Sequence, residues 1–298
     1  MGAGTLKDAR IEGGGGWVWL PAVAGFAAMY LPTYWWAAQG LWQTDEQGHG
    51  PIILAVVIWL FWQAYRPLVA LPNEGAPRLG WPLFILGLVL YTLGRAFSVS
   101  IFEIGSQVLV VAGTLLLVKG TRGLRVAWFA VLFLVFMVPL PGMLVDAATG
   151  SLKQWISVIV TDVLYAVGYP ISRTGVTISI GQYQLLVADA CSGLNSMFSL
   201  TALGSLFMYL MARRSVVHNL VMLALILPIA FVANIVRVIV LVLVTYHFGD
   251  EAGQGFLHGT AGLVLLVASL CILFLVDFVL SRLIRKPAAP LAPMPHPS

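Results

Sequence analysis

The sequence contains little charge. Asp, Glu, Lys and Arg make up 9% of its 298 residues, whereas 60% are hydrophobic. Soluble domains carry roughly 25% charged residues, so this composition excludes an ordinary soluble fold. Two cysteines cannot form a disulfide framework, and the net charge of +4 is not gathered into a basic domain, so we expect no nucleic-acid partner. The composition predicts an integral membrane protein surrounded by lipids.

Long apolar runs predict the helices that cross the membrane. A spanning helix needs about 20 apolar residues, and eight runs fit, which predicts an all-α polytopic protein with about eight spans. Most Lys and Arg residues fall on the side that both termini share, so the positive-inside rule predicts cytoplasmic termini. The eight runs are Trp17–Trp36, His49–Tyr65, Leu79–Phe97, Phe102–Val118, Val126–Leu140, Gly193–Met211, Val216–Tyr246 and Phe256–Leu280.

The segment between the fifth and sixth predicted spans has a different pattern. Residues 144–167 mix charged and apolar side chains, which predicts an amphipathic helix on or dipping into the outer leaflet. Residues 175–187 alternate polar and apolar side chains about Gly181, which predicts a short β-hairpin at the outer surface. We expect residues 1–286 to form one multi-span domain and the proline-rich residues 287–298 to be a disordered cytoplasmic tail.

Three polar residues are predicted to meet at the outer side of the membrane. Cys191 opens the sixth span, where the helix dipole favours its thiolate form. Arg237 lies in the seventh span, about 14 Å from the outer end, with Asn234 on the same helix face. His258 opens the eighth span. A thiolate, an imidazole and a guanidinium are the groups of a cysteine acyl-transfer site. We therefore predict Cys191 as nucleophile, His258 as proton relay and Arg237 as oxyanion stabiliser, with no metal or other cofactor.

These motifs carry a family resemblance. The string Ala190-Cys191-Ser192-Gly193-Leu194 before one span, Asn234-x-x-Arg237 in the next and His258 opening the last resemble the exosortase/archaeosortase family. The early string His49-Gly50-Pro51 is similar to bacterial exosortases of the B type. The resemblance covers nearly the whole multi-span chain.

The resemblance implies a membrane-embedded cysteine protease or transpeptidase of the bacterial inner membrane, with its active site facing the periplasm. Its partners would be exported proteins with a C-terminal sorting tail: a Pro-Glu-Pro signal, one transmembrane helix and a basic cluster. Asp189, where many members have Glu, and Ser192 would support the cysteine. His49, Lys153 and Arg173 are candidate contacts for the signal. Whether water or an amine resolves the thioester stays open, and the acceptor molecule is unknown.

Other interpretations start from the same residues. In a transporter or exopolysaccharide-export component, Arg237 and His258 would line an anion path, although the sequence lacks the internal repeats of many transporters. A zinc protease is disfavoured because His247 and His258 do not form an H-E-x-x-H pattern. Cys271 is a poor rival nucleophile, since it lies some 20 Å from His258 by helix rise. Arg95 and Glu103 are expected to form only a weak surface pair.

Overall fold

The computed structural model describes residues 19–44, 47–139, 142–186, 194–211, 215–259 and 261–284, and all of their side chains except those of 142–149, 194–197, 256–259, 261 and 284. The chain divides into two compact units, Met1–Ala147 and Ala148–Ser298, and each is described by itself. The predicted tail, residues 287–298, lies outside the described residues.

Helices account for most of the described chain. In the first unit these are α1 (Leu20–Gln39), α2 (Gly50–Ala70), α3 (Pro77–Phe97), α4 (Ser100–Val126) and α5 (Trp128–Phe133) with a 3₁₀ turn at Leu134–Met137. The helix α6 (Gly142–Ala166) begins at the boundary, and the second unit continues with β1 (Ile171–Thr174), β2 (Thr177–Ile180), β3 (Tyr183–Leu186), α7 (Leu194–Met211), α8 (Val216–Phe248), α9 (Asp250–Gly259) and α10 (Ala261–Ile284).

Five of the described helices are long and apolar enough to cross a membrane, so the protein is a polytopic all-α membrane protein. They are α2, α3, α4, α8 and residues 262–283 of α10. The predicted fifth span is shorter than expected, because the helical stretch from Trp128 ends at Met137, two residues before Pro139. At 1.5–2 Å per residue it reaches about 15–20 Å, roughly half of the hydrocarbon core. The count of eight spans therefore stays a prediction.

The helices α3 and α4 pack closely because α3 presents three glycines, one every seventh residue, to its neighbour. Gly80, Gly87 and Gly94 are all buried. A Cβ added at Gly87 would lie 2.8 Å from Val110 Cγ2. Small residues let helix backbones approach closely in lipid, where the hydrophobic effect does not drive helices together.

A polar network joins α1, α3 and α4 in the same unit. Thr33 Oγ1 donates a hydrogen bond to Glu103 Oε1 at 2.6 Å, and Arg95 Nη1 lies 2.9 Å from the same oxygen. Glu103 is only 5% exposed. The expectation of a surface pair is therefore wrong for the carboxylate, since two helices enclose it and α1 supplies a donor that the sequence analysis did not consider.

The second unit contains a small sheet instead of an isolated hairpin. The strands β1, β2 and β3 pair antiparallel in that order. One sheet face is apolar, because Ile178 and its cross-strand partner Leu185 are buried with Ile171 and Ile180. This face packs on α6 through Ile156, Val160 and Leu164, and on α8 through Val238, Leu241 and Val242. Ile156, Val160 and Leu164 recur at helical spacing and form the buried face of α6.

Three helices of the second unit run alongside one another, with α8 antiparallel to its two neighbours. Leu200 of α7, Ala233 of α8 and Leu265 of α10 share one core cluster. Phe207, Ile229 and Leu273 share the next cluster. From the first cluster to the second, the residue numbers rise in α7 and α10 but fall in α8, so α8 runs in the opposite direction. The C-terminal end of α8, where the sheet packs, is called the sheet end below.

Substituting Gly87 with Leu is expected to destabilise the α3–α4 pair, because the side chain would collide with Val110. Overpacking of this kind costs about 1–3 kcal/mol or more. The measurement is the thermal unfolding midpoint of the purified protein in detergent. The matched control is Gly150→Leu on α6, where nothing lies within 4 Å of an added Cβ. Equal midpoints for the two variants would contradict close packing at Gly87.

Candidate active site

Arg237 is the central residue of the candidate site. It lies on α8, is 6% exposed and follows Ala233, which is fully buried. A guanidinium remains protonated in proteins, so a full positive charge lies inside an otherwise apolar helix bundle. Intramembrane cations of this kind mark functional sites by default.

Asn234 lies one turn before Arg237 and faces the same side of α8. It is 2% exposed, and among the described residues its Oδ1 has no hydrogen-bond partner. A buried acceptor without a partner costs free energy. The amide oxygen is therefore an acceptor at the level of the guanidinium, and the supporting role of Asn234 stays a prediction.

The helix α9 turns back along α8 from the sheet end. Gly249, with φ of 91°, separates the two helices in a left-handed conformation that glycine adopts without strain. A Cβ at Gly253 would overlap Thr245 Oγ1, so α9 lies against α8 without a side chain between them. This contact fixes the path of the backbone toward His258.

The packing register brings three backbone positions to a similar level. Gly253 lies beside Thr245, and both Leu200 and Leu265 pack with Ala233. A helix rises about 1.5 Å per residue, so the number of residues from each packed pair gives a residue's level along the axis of α8. By this count, the backbones of Leu194, Arg237 and His258 lie within roughly 5 Å of one another along that axis. The start of α7, the guanidinium-bearing turn of α8 and the end of α9 therefore share one layer near the sheet.

The remaining predicted site residues fall into two groups. Cys191, Asp189 and Ser192 lie outside the described residues, as does the side chain of His258, although its backbone belongs to α9. The other group comprises substrate-contact candidates. Lys153 is half-buried on α6, and Arg173 is exposed on β1, where it pairs in register with Ile178.

His49 belongs to the first unit, at the residue before α2. It is partly buried, and this loss of hydration lowers the pKa of its imidazole. A contact between His49 and the sorting signal stays a prediction.

One buried polar pair was missed in the sequence analysis. His218 Nε2 of α8 lies 2.8 Å from Asp277 Oδ1 of α10, at the end of α8 opposite the sheet. Neither His218 nor Asp277 is among the predicted site residues. No sequence spacing could have shown the pair, because the two residues are 59 positions apart.

Comparison with known protein families decides the family. A model of the transmembrane exosortase family matches residues 41–275, most of the chain. The chain belongs to the transmembrane exosortase family. The predicted family is thus confirmed, whereas the B subtype stays a prediction. No curated protein and no solved structure matches this exosortase.

Family membership supports a general function for the protein. Exosortases are membrane proteases or transpeptidases, and protein substrates with sorting signals are implied. The matched region includes Cys191, Arg237 and His258 and stops two residues before Asp277. The described residues contain no group of three or more His, Cys, Asp or Glu side chains that could hold a metal ion.

Substituting Gly253 with Leu is expected to displace α9 from α8, because the added side chain would collide with Thr245. We expect the thermal unfolding midpoint in detergent to fall, in line with an overpacking cost of about 1–3 kcal/mol. Gly255→Leu is a matched control on the same helix, since an added Cβ there meets nothing within 4 Å. A midpoint for Gly253→Leu equal to that of Gly255→Leu would show that α9 is not seated on Thr245.

Proposed function

We propose that this exosortase is a cysteine transpeptidase or protease that cleaves the C-terminal sorting tails of exported proteins at the outer face of the bacterial inner membrane. The observation that carries the proposal is Arg237, a cation buried in α8 at the level of the start of α7 and of His258. Family membership adds the substrate class.

The proposed reaction uses three groups of the second unit. The Cys191 thiolate attacks the carbonyl carbon of the scissile peptide bond, and the Arg237 guanidinium stabilises the negative oxygen that forms. His258 delivers a proton to the departing amine. The N-terminal part of the substrate then remains as a thioester on Cys191, and water or an amine releases it.

The sheet supports this arrangement in two ways. Its buried face packs on the α8 turns that follow Arg237, at Val238, Leu241 and Val242. Its other face carries polar residues such as Ser172, Thr174 and Gln184, which is typical of a sheet facing water. A water-facing sheet beside Arg237 favours a site at a membrane surface, where the signal of an exported protein can reach it.

A substrate helix that crosses the membrane beside α8, with its basic cluster at the cytoplasmic side, would bring its signal to the sheet end. The Pro-Glu-Pro signal contains a carboxylate, for which Arg173 on β1 and Lys153 on α6 are the cationic candidates. This orientation has both termini in the cytoplasm and the active site in the periplasm.

Cys191→Ala and Cys191→Ser are expected to abolish tail removal from a co-expressed, tagged protein carrying a Pro-Glu-Pro sorting tail. The nucleophile would be lost in the first variant and much weakened in the second. The measurement is the mass of the tagged substrate in membrane and periplasmic fractions. Cys271→Ala is the matched control and should process normally. Continued processing by Cys191→Ala would rule out the thiol mechanism and favour the transport interpretation.

Arg237→Lys is expected to reduce the cleavage rate by at least about 100-fold, because an ammonium cannot reproduce the planar, bidentate donor set of a guanidinium. The positive charge is retained, so folding should suffer less than with a neutral residue. The measurement is single-turnover thioester formation in detergent. Arg122→Lys, at an exposed position of α4, is the control. Rates within a factor of three of the wild type would exclude Arg237 from transition-state stabilisation.

A further inference from the structure

Two helices of the second unit carry pairs of soft metal-binding side chains at helical spacing. Met208 and Met211 are three residues apart on α7, and His218 and Met222 are four apart on α8. Residues at these spacings lie on one face of a helix. The two faces meet, since Phe207 of α7 and Met222 of α8 belong to one core cluster, with Met208 packed against it.

The four side chains line a common pocket at the end of α8 opposite the sheet. Its cavity volume is about 10 Å³, close to the space that a single water molecule needs. Met222 is buried, whereas Met211 is exposed, so the pocket leads from the bundle interior to the surface. The described residues that line it are Phe207, Met208, Met211, His218, Asn219, Met222 and Asp277.

One hydrogen bond positions the backbone of His218, and a second holds its imidazole ring. Its backbone N–H donates to Ser215 Oγ at 3.3 Å, and its Nε2 lies 2.8 Å from Asp277 Oδ1. His218 is 3% and Asp277 4% exposed. Because Nε2 faces the carboxylate, Nδ1 is the ring nitrogen that remains to bind a metal ion, in the tautomer with its hydrogen on Nε2. A carboxylate behind an imidazole in this way is the usual partner of a metal-binding histidine.

We propose that this pocket binds a monovalent soft metal ion, Cu(I), through His218 Nδ1 and the thioether sulfurs of Met208, Met211 and Met222. Thioether ligands select Cu(I) over harder ions, and imidazole also suits copper. Mg²⁺ and Ca²⁺ require several oxygen ligands, whereas Asp277 and Asn219 are the only oxygen-bearing side chains among the described lining residues. The site is separate from the proposed peptidase chemistry, since His218 and Arg237 lie about 28 Å apart along α8.

A structural interpretation uses the same residues differently. The His218–Asp277 pair would only fasten α8 to α10, and the methionines would only fill space. The two interpretations differ in the effect of Met→Leu substitutions. Leu conserves the volume of Met and is usually tolerated in a core, but it cannot bind a metal ion.

The test is an anaerobic Cu(I) titration of the purified full-length protein in detergent, in competition with the chromogenic chelator bicinchoninate. Both thiols are first removed by Cys191→Ala and Cys271→Ala, because free thiolates also bind Cu(I). We expect one equivalent of Cu(I) to leave the chelator. Met222→Leu and the double variant Met208→Leu/Met211→Leu should each weaken binding at least tenfold, and X-ray absorption should detect sulfur scatterers around copper. Met137→Leu, in the first unit, is the matched control and should bind as the parent does.

Asp277→Asn tests the positioning of the imidazole. An altered carboxylate behind a metal-binding histidine typically lowers affinity about 10–100-fold, and the sulfur signal in the absorption spectrum should remain. The proposal is overturned if the parent protein leaves all Cu(I) with the chelator, if the Met→Leu variants bind as tightly as Met137→Leu, or if Zn²⁺ binds and Cu(I) does not.

Discussion

A positive charge buried among apolar helices is the constraint on which the second unit depends. Arg237 cannot lose its proton, so the surrounding structure has to supply polar groups or water at that depth. Asn234, buried one turn away, is one such polar group. Glycines at the turn into α9 and the apolar face of the sheet belong to the packing around the following turns of α8. Apolar side chains of α8 therefore remain packed after Arg237 on the side that faces the sheet. As a result, the guanidinium lies inside the bundle.

The sequence predicted the fold class and the family, because both rest on local patterns. Apolar runs at spanning length predict α3 and α8 to within two residues at each end, whereas α2 extends five residues and α4 eight residues beyond the predicted ends. The alternation about Gly181 predicts strands, and β2 and β3 pair across that turn. The third strand was not predicted, because Ile171–Thr174 has only one buried side chain and hence no alternating apolar pattern of its own.

Contacts between distant segments were beyond the reach of these patterns. Glu103 and Thr33 are 70 positions apart, and His218 and Asp277 are 59 apart. In each case one member looks unremarkable in the sequence, a threonine in an apolar run or a histidine near a helix start. Only the packing of helices gives such a residue its partner. A candidate site could be proposed from the sequence because a thiol, a guanidinium and an imidazole are conspicuous in apolar surroundings without any knowledge of their neighbours. The Cys191–Arg237–His258 assignment itself stays a prediction.

A largely apolar stretch of helix separates the two polar regions of α8. His218 and Arg237 are separated by about 28 Å of helix, close to the roughly 30 Å thickness of a hydrocarbon core. If α8 spans the membrane with this stretch in the core, each polar region lies near an interface, where water can satisfy polar groups and charges are less costly than at the midplane. The intervening turns contain Ile226, Ile229 and Ala230, which pack α8 against its neighbours. The apolar middle of the helix provides the packing, so both ends can carry polar side chains that serve binding or chemistry.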